Sequence, residues 1–461
     1  MDRNLFRISL TAALAGLLFG FDTVVISGAN QPIKELWGTN WFLGGSPFTF
    51  HGIFIMSMAL WGTVLGAILG GVPTERLGRK KTLFWVGILY LISALGSALA
   101  PEAYSFSFFR FIGGIGVGAS SVAAPIYISE ISTAANRGRL TALYQFNIVF
   151  GILLAYISNY FMGLWFDGSI AWRWMLGVEA LPALIYALMV AKIPNSPRWL
   201  LIKEREDSLV IRSMILLGIG RDRAMVQLEE IKLSLQGRME EKRGKLFSGR
   251  YNRSLVLAFM IAFFNQLSGI NFILYYAPEI LERAGFASGE SLLSSISIGL
   301  VNLIFTFVGI ALIDRMGRKQ LIYIGSLGYI VSLSMVAWCF QSAAPPGLLL
   351  GFILLFIASH AVGQGTVIWV FISEIFPNRV RSYGQAWGTG AHWVFAALIT
   401  LLTPTFLDAQ IGIFRDNPWP IFIFFALMMA LQLIWAIFWM PETKKASLEE
   451  LESRLGSKKR S

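Results

Sequence analysis

A single cysteine, Cys339, stands in 461 residues, so no internal disulfide can form. Histidine is nearly as scarce, at three, and with one cysteine these give no set spaced for a structural or catalytic metal. No Walker A string occurs, which removes support for ATP-driven work. Charge is short too: 14% of the residues are Asp, Glu, Lys or Arg, against about 25% in an ordinary soluble domain. A soluble core stops growing at about 250–300 residues. A chain that is 55% hydrophobic could therefore not hide its apolar side chains in water. These shortages exclude a soluble enzyme, a disordered chain and a disulfide-stapled secreted domain.

What the chain does have is apolar runs, near 8–28, 52–72, 82–100, 105–129, 140–163, 173–193, 254–282, 291–313, 320–340, 347–373, 383–407 and 418–440. Each is close to the ~20 residues that a helix needs to cross a ~30 Å hydrocarbon layer. The pattern predicts an all-α membrane protein of twelve spanning helices, multi-pass, with both termini cytoplasmic. Under that topology the inner segments carry 33 of the 38 Lys and Arg, while Lys34, Arg173, Arg283 and Arg415 lie outside and Arg110 lies within a span. This is the positive-inside distribution. It accounts for the net charge of +11 without a nucleic-acid partner. The first run follows Arg3 and Arg7 as a signal peptide would, but eleven further runs and Asp22 favour a retained helix.

A polar insert, 194–253, divides the chain. Within it Ser208–Leu217 and Met225–Leu235 show helical apolar spacing, which predicts short amphipathic helices on the membrane surface. The flanking parts repeat one another. Glu75-Arg76-Leu77-Gly78-Arg79-Lys80 aligns with Asp314-Arg315-Met316-Gly317-Arg318-Lys319 at an offset of 239, and Ile128-Ser129-Glu130-Ile131 with Ile372-Ser373-Glu374-Ile375 at 244. Arg137 then matches Arg381, and Pro194-Asn195-Ser196-Pro197 answers Pro441-Glu442-Thr443-Lys444. Recurrence in one order at a nearly constant offset points to a six-helix half at 1–193, a helical linker at 194–253, a second half at 254–440 and a tail at 441–461. Transporters built from such repeats bind substrate between them.

The repeated motifs have a physical reading of their own. Glu75, Arg76, Arg79, Arg137, Asp314, Arg315, Arg318 and Arg381 fall in short inner loops near Glu130 and Glu374 at helix ends. Pairs among them can close the inner side in one state and separate in another, so all ten are candidates for a cytoplasmic gate. Asp22 and Arg110 are the sharper signal, because charge deep in a membrane is costly and is usually paired or functional. If they face each other, protonating Asp22 frees Arg110, which makes a workable proton switch. The alternative is a permanent structural pair. A third set is neutral and polar: Gln145, Gln266, Asn271, Tyr275, Asn302, Trp369, His392 and Trp393. Amides, hydroxyls and aromatic faces suit a polyol, though each residue could instead hold helices together. A straight helix would leave Gln266 about 140° from Asn271 and Tyr275, and Gly269 with Pro278 offers the break that could reunite them. Gly114-Ile115-Gly116-Val117-Gly118-Ala119 fits a nucleotide-binding string, but inside a span it reads as helix packing.

Taken together, the acidic-Arg-x-Gly-Arg-Lys loops, Arg137-Gly138-Arg139, Pro194-Asn195-Ser196-Pro197-Arg198-Trp199, Gln266-Leu267-Ser268-Gly269-Ile270-Asn271, Tyr275-Tyr276-Ala277-Pro278, Ser373-Glu374-Ile375-Phe376-Pro377 and Pro441-Glu442-Thr443-Lys444 resemble the sugar porters of the major facilitator superfamily from end to end. The resemblance implies two pseudo-symmetric six-helix bundles, the major facilitator fold, and no cofactor. It implies a secondary transporter, not an enzyme, that takes up a monosaccharide, hexose or pentose, with protons by alternating access. The protein would be a monomer in a bacterial inner membrane. By position, the family's sugar-binding residues fall on Gln145, Gln266, Asn271, Asn302 and Trp369, with Tyr275 and Trp393 as aromatic neighbours. Its proton-coupled members place Asp and Arg at Asp22 and Arg110. Facilitative members lack that acid, and a uniporter is the alternative reading, with a sugar-sensing receptor on the same scaffold behind it. The chain departs from the family pattern at Glu75 (usually Asp), Asn195 (usually Glu), Asn265 (usually Gln) and His392 (usually Asn or Gln). A His-Trp pair at 392–393 resembles mammalian-type fructose carriers more than glucose carriers, which gives fructose a slight preference.

Overall fold

The computed structural model describes residues 3–37, 49–133, 136–240, 246–247, 249–377, 380–444 and 451, with the backbone alone for 234–240. The expected tail at 441–461 therefore lies outside the described residues except for 441–444 and 451. The regular elements among the described residues are helical. The first is α1 (Arg3–Trp37), followed by a π-helical turn (His51–Met56), α2 (Met58–Leu69) and the short α3 (Gly71–Arg76). Then come α4 (Arg79–Leu99), α5 (Ala103–Ile131), α6 (Arg137–Trp165), α7 (Gly168–Gly177) and α8 (Ala180–Lys192). The linker folds as α9 (Pro197–Ile202), α10 (Asp207–Leu216) and α11 (Arg221–Glu240). Beyond it stand α12 (Asn252–Gln266), α13 (Ile270–Arg283), α14 (Ser288–Met316), α15 (Arg318–Ser342), α16 (Pro346–Val362), α17 (Gln364–Glu374), α18 (Arg381–Leu407) and α19 (Trp419–Phe438).

Eleven of the twelve expected spans are helices long and apolar enough to cross a bilayer, three of them counted across a break. The expected second span differs. It begins as the π turn, with Ser57 joining that turn to the twelve residues of α2. The broken spans are α7–α8, interrupted at Val178 and Glu179, α12–α13, interrupted at Leu267–Gly269, and α16–α17, interrupted at Gly363. Irregular backbone at membrane depth is tolerated only where protein or a cavity satisfies it.

Packing follows the small residues. α2 lies along α5, and a Cβ placed on Gly114 or Gly118 would strike the α2 backbone at Ala59 or Thr63. The glycine string is thus a close helix crossing, as its membrane setting implies. The first six spans meet the last six where α6 packs on α14, α2 on α18 and α1 on α13. The linker helices build a small core from Trp199, Leu200, Val210, Met214, Ala224 and Leu228. Pro197 opens α9, and Ser196 caps it by accepting the Trp199 N–H. This end of the molecule, called the linker end below, also carries the repeated charged loops.

Candidate transport site

Near the middle of α1, Asp22 is 1% exposed and Arg110 on α5 is 2% exposed. Arg110 Nη1 donates to Asp22 Oδ1 at 2.5 Å, and Nη2 donates to the Asp22 backbone carbonyl at 3.0 Å. The two charges therefore face each other. A third member was not foreseen. Glu179, at the break between α7 and α8, is buried near Asp22 and Arg110, and its Oε1 has no partner among the described residues. Its signal was in the sequence, as an acid inside the apolar run 173–193, but no motif marks it.

The break in span seven does what Gly269 suggested. Gly269 adopts φ +86°, a left-handed conformation open mainly to glycine. The turn there brings Asn271 Nδ2 to donate to Gln266 Oε1 at 2.9 Å. Gln266 Nε2 donates to Asn265 Oδ1 at 3.1 Å and lies 3.1 and 3.2 Å from the His392 ring nitrogens. Rings of Trp369 and Trp393 flank His392, each with its centroid 4.9 Å away, and Phe19 of α1 reaches Trp393 at 5.6 Å. The structure thus gathers Gln266, Asn271, Trp369, His392 and Trp393, from four helices, into one amide-and-ring cluster.

Three expected members sit apart from that cluster. Tyr275 is buried near Thr23 and the Asp22–Arg110 pair. A second local break at Tyr276 (φ −117°, ψ 18°), two residues before Pro278, fixes this part of α13. Gln145 on α6 and Asn302 on α14 have no hydrogen-bond partner among the described residues, and their polar atoms are not sealed in the core. An amide without a partner is available to a ligand.

At the linker end the gate candidates sort into pairs and free charges. Arg79 donates to Glu130 from Nε and Nη2, at 3.1 and 2.7 Å, and Ser196 Oγ donates to the same carboxylate at 2.6 Å. Arg318 makes the corresponding bonds to Glu374, at 3.0 and 2.7 Å, and Thr443 Oγ1 donates to it at 2.6 Å. Asp314 lies 3.7 Å from Arg318. Each pair lies within its own half, not between the halves. Glu75, Arg76, Arg137 and Arg315 are exposed and their charged ends have no partner among the described residues, whereas Arg381 is half-buried and donates from Nε to the Phe376 carbonyl at 3.2 Å.

The opposite end of the bundle is held between the halves. Lys34 of α1 pairs with Asp408, just past α18, and lies 3.7 Å from Glu279 of α13. Burial raises the Asp408 carboxyl, but the Lys34 hydrogen bond and the N–H groups of Ile411 and Gln410 outweigh it and hold the group below its ordinary range. No sequence motif announces these residues, which lie far apart in the chain.

Comparison with known proteins agrees with this architecture. The model of the family described as "Sugar (and other) transporter" matches residues 8–455. The D-xylose-proton symporter of Escherichia coli (strain K12) is 34% identical, covering 97% of this chain and 95% of its own. The arabinose-proton symporter of Bacillus subtilis (strain 168) is 33% identical, covering 96% and 94%. Among solved structures, the inward-open conformation of the xylose transporter XylE from E. coli superposes with a TM-score of 0.84 at 32% identity, over 98% of this chain and 99% of that one. The same major facilitator symporter bound to 6-bromo-6-deoxy-D-glucose gives 0.77 at 33% identity, over 98% and 99%.

Proposed function

The chain belongs to the sugar transporter family, and from that premise we propose that it takes up a monosaccharide together with protons by alternating access. The observation that carries the coupling is the buried Asp22–Arg110 pair, with a second buried acid, Glu179, close by. A proton on either acid balances the charge of the cluster. A proton on Asp22 removes the charge that Arg110 Nη1 answers, and Tyr275, buried beside this group on the same helix as Asn271, is the residue through which the change would reach the site. A uniporter would need no such acid. Gln266, Asn271, Trp369, His392 and Trp393 form the sugar cluster from the second half, and the unpaired amides of Gln145 and Asn302 are further ligands. The sugar is a pentose or hexose, and His392 tilts the choice toward fructose.

In this reading the halves 1–193 and 254–440 rock about the site while 194–253 bridges them, the protein works as a monomer, and the linker end faces the cytoplasm of a bacterial inner membrane. Glu75, Arg76, Arg79, Glu130, Arg137, Asp314, Arg315, Arg318, Glu374 and Arg381 form the gate on that side. The better superposition on an inward-open relative supports an inward-facing state. Counterflow and gradient-driven uptake in proteoliposomes test the function with a panel of unlabelled sugars. Asp22→Asn is expected to abolish uphill accumulation and spare counterflow; accumulation at the wild-type rate would remove the coupling role. Replacing His392 with Asn should change the ratio of fructose to glucose competition, and an unchanged ratio would remove the fructose preference.

A further inference from the structure

At the end of the bundle opposite the linker, five polar side chains from four segments meet out of water. Lys34 and Asn30 stand one turn apart on α1, His51 opens the π turn, Glu279 follows the second break of span seven, and Asp408 follows α18. Asn30 Nδ2 donates to Glu279 Oε2 at 2.7 Å, and His51 Nε2 lies 2.6 Å from Asn30 Oδ1. Asp408 Oδ1 accepts the N–H groups of Gln410 and Ile411 at 2.7 and 3.0 Å, which leaves Oδ2 for Lys34. The side chains of Lys34, Glu279 and Asp408 are 9%, 6% and 2% exposed. Arg283, the neighbouring cation, donates to the carbonyls of Leu407, Phe414 and Arg415 and so braces the corner that holds Asp408.

The division of these groups between the halves is what matters. Asn30, Lys34 and His51 come from the first six spans, and Glu279 and Asp408 from the last six. The site cannot open at this end without separating Lys34 from both acids. A buried ion pair is nearly balanced between attraction and lost hydration, so parting its members into water is reversible, as parting a packed apolar seam would not be. Lys34 stands twelve residues beyond Asp22 on α1, about 18 Å along the helix axis. That distance carries it away from the bilayer centre toward a zone where water can receive the separated charges.

We propose that Lys34, Glu279 and Asp408 are a latch between the halves that holds this end shut, and that its strength sets the share of molecules open on this side. The test uses spin labels on Leu36→Cys and Ile413→Cys, in a Cys339→Ser background. Both positions are exposed, at 51% and 60%, and they mark opposite halves at this end. Distances are read in nanodiscs without sugar or a proton gradient, so the result does not depend on the transport reading. Lys34→Met and Asp408→Asn should each raise the ratio of long to short distances by roughly tenfold, about 1.4 kcal/mol. The exchange Lys34→Asp with Asp408→Lys should restore part of the short population. Glu279→Gln, which keeps the shape and the Asn30 contact, should shift the ratio in the same direction by less, and it keeps the test open if a stronger variant fails to fold. An unchanged distribution in Asp408→Asn and Glu279→Gln, or a charge exchange no better than the single variants, would overturn the latch.

Discussion

The two charged corners of the linker end are copies that differ in one particular. In the first half Arg79 places both of its donors on a single oxygen of Glu130 and leaves the other to Ser196. In the second half Arg318 spans both oxygens of Glu374, and Thr443 shares one of them. The second corner adds an anion that the first lacks. Glu442 accepts the N–H groups of Arg318 and Lys319, each at 3.0 Å, and so caps the start of α15. The matching residue of the first half is the neutral Asn195. There the turn before α4 is covered by an indole instead: Trp199 packs on Gly78 and donates from Nε1 to the Glu75 carbonyl at 2.9 Å. The Arg–acid–hydroxyl core survives duplication while the cap around it changes its means, from charge to apolar cover. The first corner is also the drier, with Glu130 at 8% exposure against 26% for Glu374.

Burial and geometry therefore favour different corners, and substitution decides between them. Removing one partner of a buried pair strands the other, at a cost of about 3–5 kcal/mol when both are dry. Glu130→Ala should approach the lower end of that range. Glu374→Ala should lose about 2 kcal/mol, because water reaches its arginine once the acid is gone. Apparent melting temperatures in detergent report both, and a larger drop for Glu374→Ala would show that two-oxygen geometry outweighs dryness. Next in size is the cap. Glu442→Gln should cost about 1–2 kcal/mol and lower the melting temperature, with the Arg318–Glu374 pair intact. Ser196→Ala and Thr443→Ala should each cost about 1 kcal/mol, and equally, since both hydroxyls stand 2.6 Å from their carboxylates; unequal losses would break the likeness of the cores. Smallest is the converse graft. Asn195→Glu should add about 0.5 kcal/mol to the first corner, and a fall in stability would mean that Trp199 already fills the place an anion would take.

Much of this was legible because a bilayer demands a monotonous vocabulary. A run of ~20 apolar residues admits few readings, so the spans and the repeat could be read directly. The break at Leu267–Gly269 was visible through Gly269, and with it the meeting of Gln266 and Asn271. Nothing of that kind marks His51–Met56, where no proline interrupts the run and the π turn arises where Gly52 sits against the Leu401 carbonyl of α18. Glu179 passed unnoticed because one acid near a helix break has no partner in sequence. Lys34, Glu279 and Asp408 were invisible for a related reason: their contacts form between segments hundreds of residues apart, and only the packing of the halves selects them.

Arg110 keeps one of its bonds whatever the protons do. Its Nη2 holds the Asp22 carbonyl at 3.0 Å, and a backbone carbonyl does not titrate at any pH a cell meets. Were Asp22 to take up a proton, as the proposed coupling requires, the guanidinium would lose a counter-charge but not its address, and α1 and α5 would stay tied at the same rung. Such a cycle would not need to search for this geometry anew on each turn. The charge would be the part that resets, and the carbonyl the part that remembers where it belongs.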